Sequence, residues 1–173
     1  MAAADEKLLE PLRIALSMEA EGRQTFAEAA RRATGRHARQ TFEFLTAEED
    51  RHIERIKHFY ESLQNETSPE VPEVLPAEID DKLDQINRGM AALKPELKPA
   101  ASDVEAFRFA LGFENGAEAF YRKQIDTTKN EQVRRFYAWL VQEEGLHGRV
   151  LESCLLFAQD PAAWFRKHGS ALS

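Results

Sequence analysis

The chain has 173 residues, a net charge of −7, 31% charged and 9% aromatic residues, 8 glycines and 7 prolines. That is an ordinary globular composition of one-domain length. Its dispersed acid excess excludes the clustered basic surface that nucleic acid would need.

Cys154 is the sole cysteine, so an internal disulfide and any four-cysteine metal site are excluded. No apolar run approaches the ~20 residues of a membrane span. The opening Met1-Ala2-Ala3-Ala4-Asp5-Glu6 is acidic and runs straight into periodic sequence, unlike a secretory leader. A cytoplasmic protein with no membrane partner is therefore expected.

Leu8, Leu12, Ala15, Glu19, Gly22, Phe26, Ala29 and Ala33 recur at steps of four and three, the stripe of a helix that faces a core. Gly35 is read as its C-terminal stop. A short connection then leads to an antiparallel second helix with the stripe Phe42, Leu45, Glu49, His52, Ile56, Phe59 and Leu63. Residues 65–76 break the pattern with Pro69, Pro72 and Pro76. Ile79, Leu83, Ile86, Met90 and Leu93 mark a short amphipathic helix, closed by Pro95 and Pro99, that lies over the bundle or against a partner. From Gln64 to Ala101 the connection spans 38 residues. An up-down-up-down bundle needs only a handful there, whereas a crossover running the bundle's length suits ferritin-like topology.

Ser102 and Asp103 are candidate N-caps of a third long helix, with the stripe Phe107, Ala110 or Leu111, Glu114, Ala117 or Glu118, Tyr121 and Ile125. After a turn at 127–130, a fourth helix carries Val133, Tyr137, Leu140, Glu144, His147, Leu151, Cys154 and Ala158. Asp160-Pro161 ends it, and a tail with Trp164 and Phe165 caps the bundle. The expected fold is all-α: one ferritin-like four-helix bundle over residues 1–173. It comprises a helical hairpin at about 7–64, a crossover with a short helix at about 65–101, a repeat of the hairpin at about 102–159 and a tail at 160–173.

The anomaly is charge inside those stripes. Glu49-x-x-His52 and Glu144-x-x-His147 are the only glutamates followed by a histidine three places on, and both residues shift by 95 between copies. The same offset takes Ala15 to Ala110, Glu19 to Glu114, Phe26 to Tyr121 and Leu45 to Leu140. Each half then reads as a hairpin that cannot bury its apolar face alone. Glu19 and Glu49 lie about equally far from the first turn, and Glu114 and Glu144 from the second, so antiparallel pairing levels all six residues.

Four buried unpaired carboxylates would cost several kcal/mol each. Two divalent cations balance them and leave the imidazoles neutral. One Glu from each of two helices plus a Glu-x-x-His from each of the others is the di-iron or di-manganese pattern of ferritin-like bundles. The competing reading is a salt-bridged polar layer with Arg23 or Arg149 as partners.

Ala15-Leu-Ser-Met-Glu19 with Phe26, and Ala110-Leu-Gly-Phe-Glu114 with Phe120-Tyr121, resemble the metal-bearing helices of rubrerythrins. Glu48-Glu49-Asp50-Arg51-His52 and Glu143-Glu144-Gly145-Leu146-His147 are similar to that family's paired Glu-x-x-His helices. The resemblance implies Glu19, Glu49, His52, Glu114, Glu144 and His147 as ligands of two irons, with Glu49 and Glu144 bridging; manganese or zinc could take the same places. It also implies an oxidoreductase that reduces peroxide or dioxygen.

Two departures shape that expectation. The four cysteines of a rubredoxin-like domain are lacking, so electrons come from another protein or not at all. Many rubrerythrins carry a further Glu three residues after the third-helix ligand, where this chain has Ala117, with Gly22 at the matching place in the first repeat. Small residues there imply space beside the metals, and Glu118 is the candidate substitute ligand.

The alternatives are a ferroxidase that stores or delivers iron, and a metal-binding bundle without turnover. A homo-oligomer, a dimer for the peroxidase, is expected because the helix near Ile86 and the tail at Trp164 offer apolar surface. Tyr121 is a candidate hydrogen-bond donor to a ligand, and Tyr137 a core tyrosine with a satisfied hydroxyl. Glu48 and Glu143 are expected to point sideways, solvated or behind the ligands. Cys154 is read as a small buried hydrophobe, and His37, His58 and His168 as exposed.

Overall fold

The structure, a computed structural model, describes residues 6–73, 76–92 and 100–168, with the side chains of 76–79 left aside. The expectations for Met1–Asp5, for the Ile79 side chain, for Leu93, Pro95 and Pro99, and for the tail beyond His168 fall outside the described residues. Six helices and no strands are present among those described: α1 (Glu6–Arg32), α2 (Arg36–Gln64), α3 (Pro76–Ala91), α4 (Ala101–Thr127), α5 (Glu131–Gln159) and α6 (Pro161–His168). None is long and apolar enough to cross a membrane.

Helix α1 packs along α2 and α4 along α5, while α1 also meets α4 and α2 meets α5. The apolar core falls into two clusters. On α1, Leu12 and Ala15 belong to one and Phe26 and Ala30 to the other, with Glu19 between them. On α2 the change comes between Leu45 and Ile56, around Glu49 and His52; on α4 it comes between Ala110 and Ala117, at Glu114. On α5 it comes between Val141 and Leu146, at Glu144. The two apolar clusters, each spanning all four helices, thus hold a polar layer between them.

The helix ends depart from the sequence reading in one instructive way. Gly35 is not a left-handed stop for α1; with φ −84° and ψ 138° it is the extended N-cap of α2. It has no side chain with which to cap, and Asp103 of α4 supplies the carboxylate instead. Asp103 accepts from Thr34 N at 3.1 Å, Thr34 Oγ1 at 2.9 Å and Gly35 N at 2.8 Å. Asp103 is therefore not the N-cap of its own helix, a place taken by Ala100. At the α4–α5 turn the cap is local: Val133 N donates to Asn130 Oδ1 at 3.1 Å.

Asp103→Ala strands three donors in a part-buried turn. It should cost about 2 kcal/mol and, at this chain length, lower the Tm by roughly 4–8 °C in a circular-dichroism melt. A change below a degree would contradict this account of the turn.

Helix α3 lies on α5 and α2. Met90 is fully buried, and Trp164 Nε1 donates to Ser153 Oγ at 2.8 Å, which donates in turn to Asn87 Oδ1 at 2.7 Å. Trp164 is fully buried as well, whereas Leu83, Ile86 and Phe165 are half-buried against the same cluster. The exposed large apolar side chains among the described residues are Ile14 and Phe109.

Candidate metal centre

Glu19 of α1, Glu49 and His52 of α2, Glu114 of α4, and Glu144 and His147 of α5 are each no more than 2% exposed. Helical periodicity explains the convergence. Within α2 and α5 the Glu and His three residues apart share a face, and the neighbouring apolar residues on the same stripes turn that face inward.

His52 Nδ1 donates to Glu19 Oε2 at 2.9 Å, and His147 Nδ1 to Glu114 Oε1 at 3.1 Å. Glu144 lies between the imidazoles, 3.3 Å from His52 Nδ1 and 3.5 Å from His147 Nδ1. Glu49 lies 3.9 Å from His52 Nδ1 and 3.4 Å from His147 Nδ1. The two rings stack with centroids 5.1 Å apart and an interplanar angle of 16°. One donor atom each from Glu49, His52, Glu144 and His147 falls within 4.8 Å of the others.

The arginines of the salt-bridge alternative do not reach this layer. Arg23 pairs with Asp50, and Arg149 lies 4.0 Å from Asp80. The charges are balanced by protons instead. Burial opposes protonation of His52 and His147, yet the surrounding carboxylates, Glu143, Glu144 and Glu19 for the first and Glu114, Glu144 and Glu49 for the second, overcome it and hold both imidazoles well above their usual pKa. Burial, reinforced by neighbouring carboxylates, pushes Glu49 and Glu114 well up. Burial also works against the Glu144 charge, but the closeness of Glu114, His147 and His52 leaves it well below the carboxylate range.

Even so, Glu49 Oε1, Glu114 Oε2 and both Glu144 oxygens have no hydrogen-bond partner among the described residues. Buried acceptors left that way are costly, and a cation satisfies them. Bonds of about 2.0–2.2 Å to one ion separate its ligands by roughly 3–3.5 Å. Most of the nitrogen–oxygen distances above lie in or near that range, so the residues fit a metal pair.

A family model described as Rubrerythrin matches residues 10–155. The chain belongs to the rubrerythrin family. Comparisons with curated proteins and with solved structures return no match. In this rubrerythrin-family chain the matched segment contains all six residues of the buried layer.

Tyr121 donates from its hydroxyl to Glu19 Oε1. Burial, with the charges of Glu19 and Glu144, holds the phenol proton on. Glu118 is absent from the layer: its carboxylate faces outward and accepts from Arg122 Nε at 2.8 Å. Space beside Gly22 is also absent. A Cβ there would sit 2.8 Å from Phe113 Cε1 and 3.5 Å from Glu49 Cδ, so the Phe113 ring already fills the place. Ala117 is buried in the apolar cluster with Tyr121 and Leu140.

Glu48 and Glu143 are buried, not solvated. Glu48 is held by Arg51 and by Lys82 of α3, whose Nζ is 3.2 Å from Oε2. Glu143 Oε2 lies 3.6 Å from His52 Nε2. Burial raises its pKa, but the His52 contact and the charges of His52 and Lys82 outweigh that and leave it lowered. The sequence reading missed Trp139, whose ring meets His52 edge-on at 5.6 Å and shields it. Its signal was an aromatic one turn before Glu143 on the helix with the broadest buried surface.

Other expectations divide. Cys154 is buried beside Thr41 Oγ1 at 3.5 Å, its thiol pushed up to about 12 by burial. His58 is exposed, as expected. His37 packs edge-on against Phe157 at 6.0 Å, burial lowering it to about 4, and His168 lies against Trp164 at 4.9 Å. The Tyr137 hydroxyl has no partner among the described residues.

Proposed function

We propose that this chain is a non-haem di-iron oxidoreductase that reduces peroxide or dioxygen with electrons from an external protein. Its fold would be one ferritin-like domain, two 95-residue-offset hairpins joined by a crossover. The observation that carries the reading is the buried layer of four carboxylates and two imidazoles with unpartnered acceptors, set in a chain of the rubrerythrin family.

Glu19 and His52 would hold one ion and Glu114 and His147 the other, with Glu49 and Glu144 shared between them. When bound, the metal pair supplies two electrons to an O–O bond and a Lewis-acidic place for the oxygens. The chain's own residues do the rest. The glutamates neutralise the cations, the imidazoles set the orientation of the cluster, and Tyr121 holds a proton at its hydroxyl oxygen against Glu19. Trp139, Phe113 and the two apolar clusters exclude water. The chain would act in the cytoplasm as a homo-oligomer, a dimer by expectation, with Phe109 as the exposed apolar side chain available for the contact.

The test is single-turnover reoxidation. Protein loaded anaerobically with Fe(II) is mixed with peroxide or with air-saturated buffer, and Fe(III) absorbance is followed. Faster reoxidation by peroxide, without growth of light scattering, is expected. Oxidation by dioxygen alone followed by a scattering mineral would replace this reading with iron storage.

A further inference from the structure

The two halves of the buried layer are alike in their ligands and unlike in what stands behind them. Behind the first half, Tyr121 donates to Glu19 Oε1, and Glu143 Oε2 faces the outer nitrogen of His52 at 3.6 Å. Behind the second, both supports are missing. The residue 95 before Tyr121 is Phe26, which has no hydroxyl, and Glu114 Oε2 is left without a hydrogen-bond partner among the described residues. The residue 95 before Glu143 is Glu48, which is drawn to Lys82 and Arg51 and forms no ion pair with His147. The outer nitrogens of His52 and His147 both lack a hydrogen-bond partner among the described residues. What separates them is the Glu143 carboxylate 3.6 Å from that of His52, with no such carboxylate paired to that of His147 among the described residues.

We infer that the two metal positions are inequivalent: the Glu19–His52 position binds the first ion tightly, and the Glu114–His147 position binds the second weakly and exchangeably. This rests on the reading that the layer holds two ions. The physical basis is the orientation of the ligands. A hydrogen bond on one carboxylate oxygen leaves the other aimed at the ion, and a carboxylate behind an imidazole fixes its ring and raises its basicity as a ligand. Partners of this kind carry about 10–100-fold in metal affinity. Glu114 and His147 must be ordered by the ion itself, so their ion binds after the first and leaves before it.

Repulsion between two cations would also separate two affinities in a symmetric site, so the order of filling is what discriminates. Metal-free protein is titrated with Mn(II), and free ion is read by the amplitude of its six-line EPR signal. Wild type should bind two ions in two steps. His147→Ala should keep the first step within about threefold and lose the second, whereas His52→Ala should weaken the first step by at least about tenfold. The near-isosteric Tyr121→Phe and Glu143→Gln, which keep the packing, should each weaken the first step about tenfold and leave the second unchanged.

Equal weakening of the first step by His52→Ala and His147→Ala, with two ions still bound by wild type, would overturn the inequivalence and leave the two-ion reading standing. Failure of wild type to bind two ions would overturn that reading and the inference with it.

Discussion

Glu144→Ala should both unfold the chain more easily and empty the layer. In the metal-free chain Glu144 is the anion between two protonated imidazoles, 3.3 and 3.5 Å from their Nδ1 atoms. Removing it leaves two buried cations without their shared partner, a loss of about 3–5 kcal/mol and a fall in Tm of roughly 6–20 °C at this length. It also removes the carboxylate closest to bridging both imidazoles, so metal retained after dialysis should fall from two ions to fewer than one. Glu144→Gln should recover part of the stability, because the amide oxygen still accepts, and little of the metal. Glu118→Ala is the control: its pair with Arg122 is at the surface, and such pairs contribute about 0–1 kcal/mol. Thermal melts with and without Mn(II) separate the effects, and a Glu144→Ala protein that melts and binds like wild type would sink this account of the residue.

The second large effect is on pH. His52 and His147 have folded pKa values raised above the unfolded value. Their contribution to metal-free stability is therefore full below about 6.5 and is lost as pH rises through the raised values. Glu49 and Glu114 are raised as well, and their contribution declines from about 4.5 upward. Glu144 is lowered and acts oppositely, losing its contribution as pH falls through its folded value.

Within the layer the four raised groups lose their contribution across about pH 5.5 to 8.5. The contributions of the lowered Glu143 and Glu144 are complete above about 4.5, so the metal-free layer grows less stable over that window. Metal binding must displace those protons, so the stability that metal confers should grow over the same window. At a hundredfold excess over the dissociation constant each ion contributes about 2.7 kcal/mol. The Tm gap between Mn(II)-loaded and EDTA-treated protein should widen steadily from pH 5.5 to 8.5. A gap that is constant or narrows would contradict the protonation pattern.

Much of the bundle could be read from the chain because its signal is local. Four stripes at three–four spacing place Leu12, Phe42, Phe107 and Leu140 in the core, and a charge in such a stripe, as at Glu19 or Glu144, has no bland explanation at two matching positions. What escaped depends on contacts between distant segments. Asp103 looks like a cap for its own helix, since nothing in the sequence shows that Thr34 and Gly35 lie beside it with unmet donors. How α3 and α6 lie against α5, burying Met90 and Trp164, is likewise not legible from their own residues.

The same covering explains Glu143. One step along the helix from Glu144, its sequence position allows it to be solvated or to lie behind the ligands. It lies behind His52 because α5 is buried on most of its circumference. Gly22, by contrast, misleads. A missing side chain reads as space, and only the packed structure shows Phe113 filling it.

Metal stoichiometry tests the central claim most directly. Protein freed of metal, reconstituted anaerobically with excess Fe(II) and passed through a desalting column should carry two irons per chain by elemental analysis. The same protein with Glu49 and Glu144 both replaced by alanine should carry fewer than one. A wild-type chain that keeps its helical circular dichroism and carries no iron, or carries the same amount as the double variant, would contradict the account.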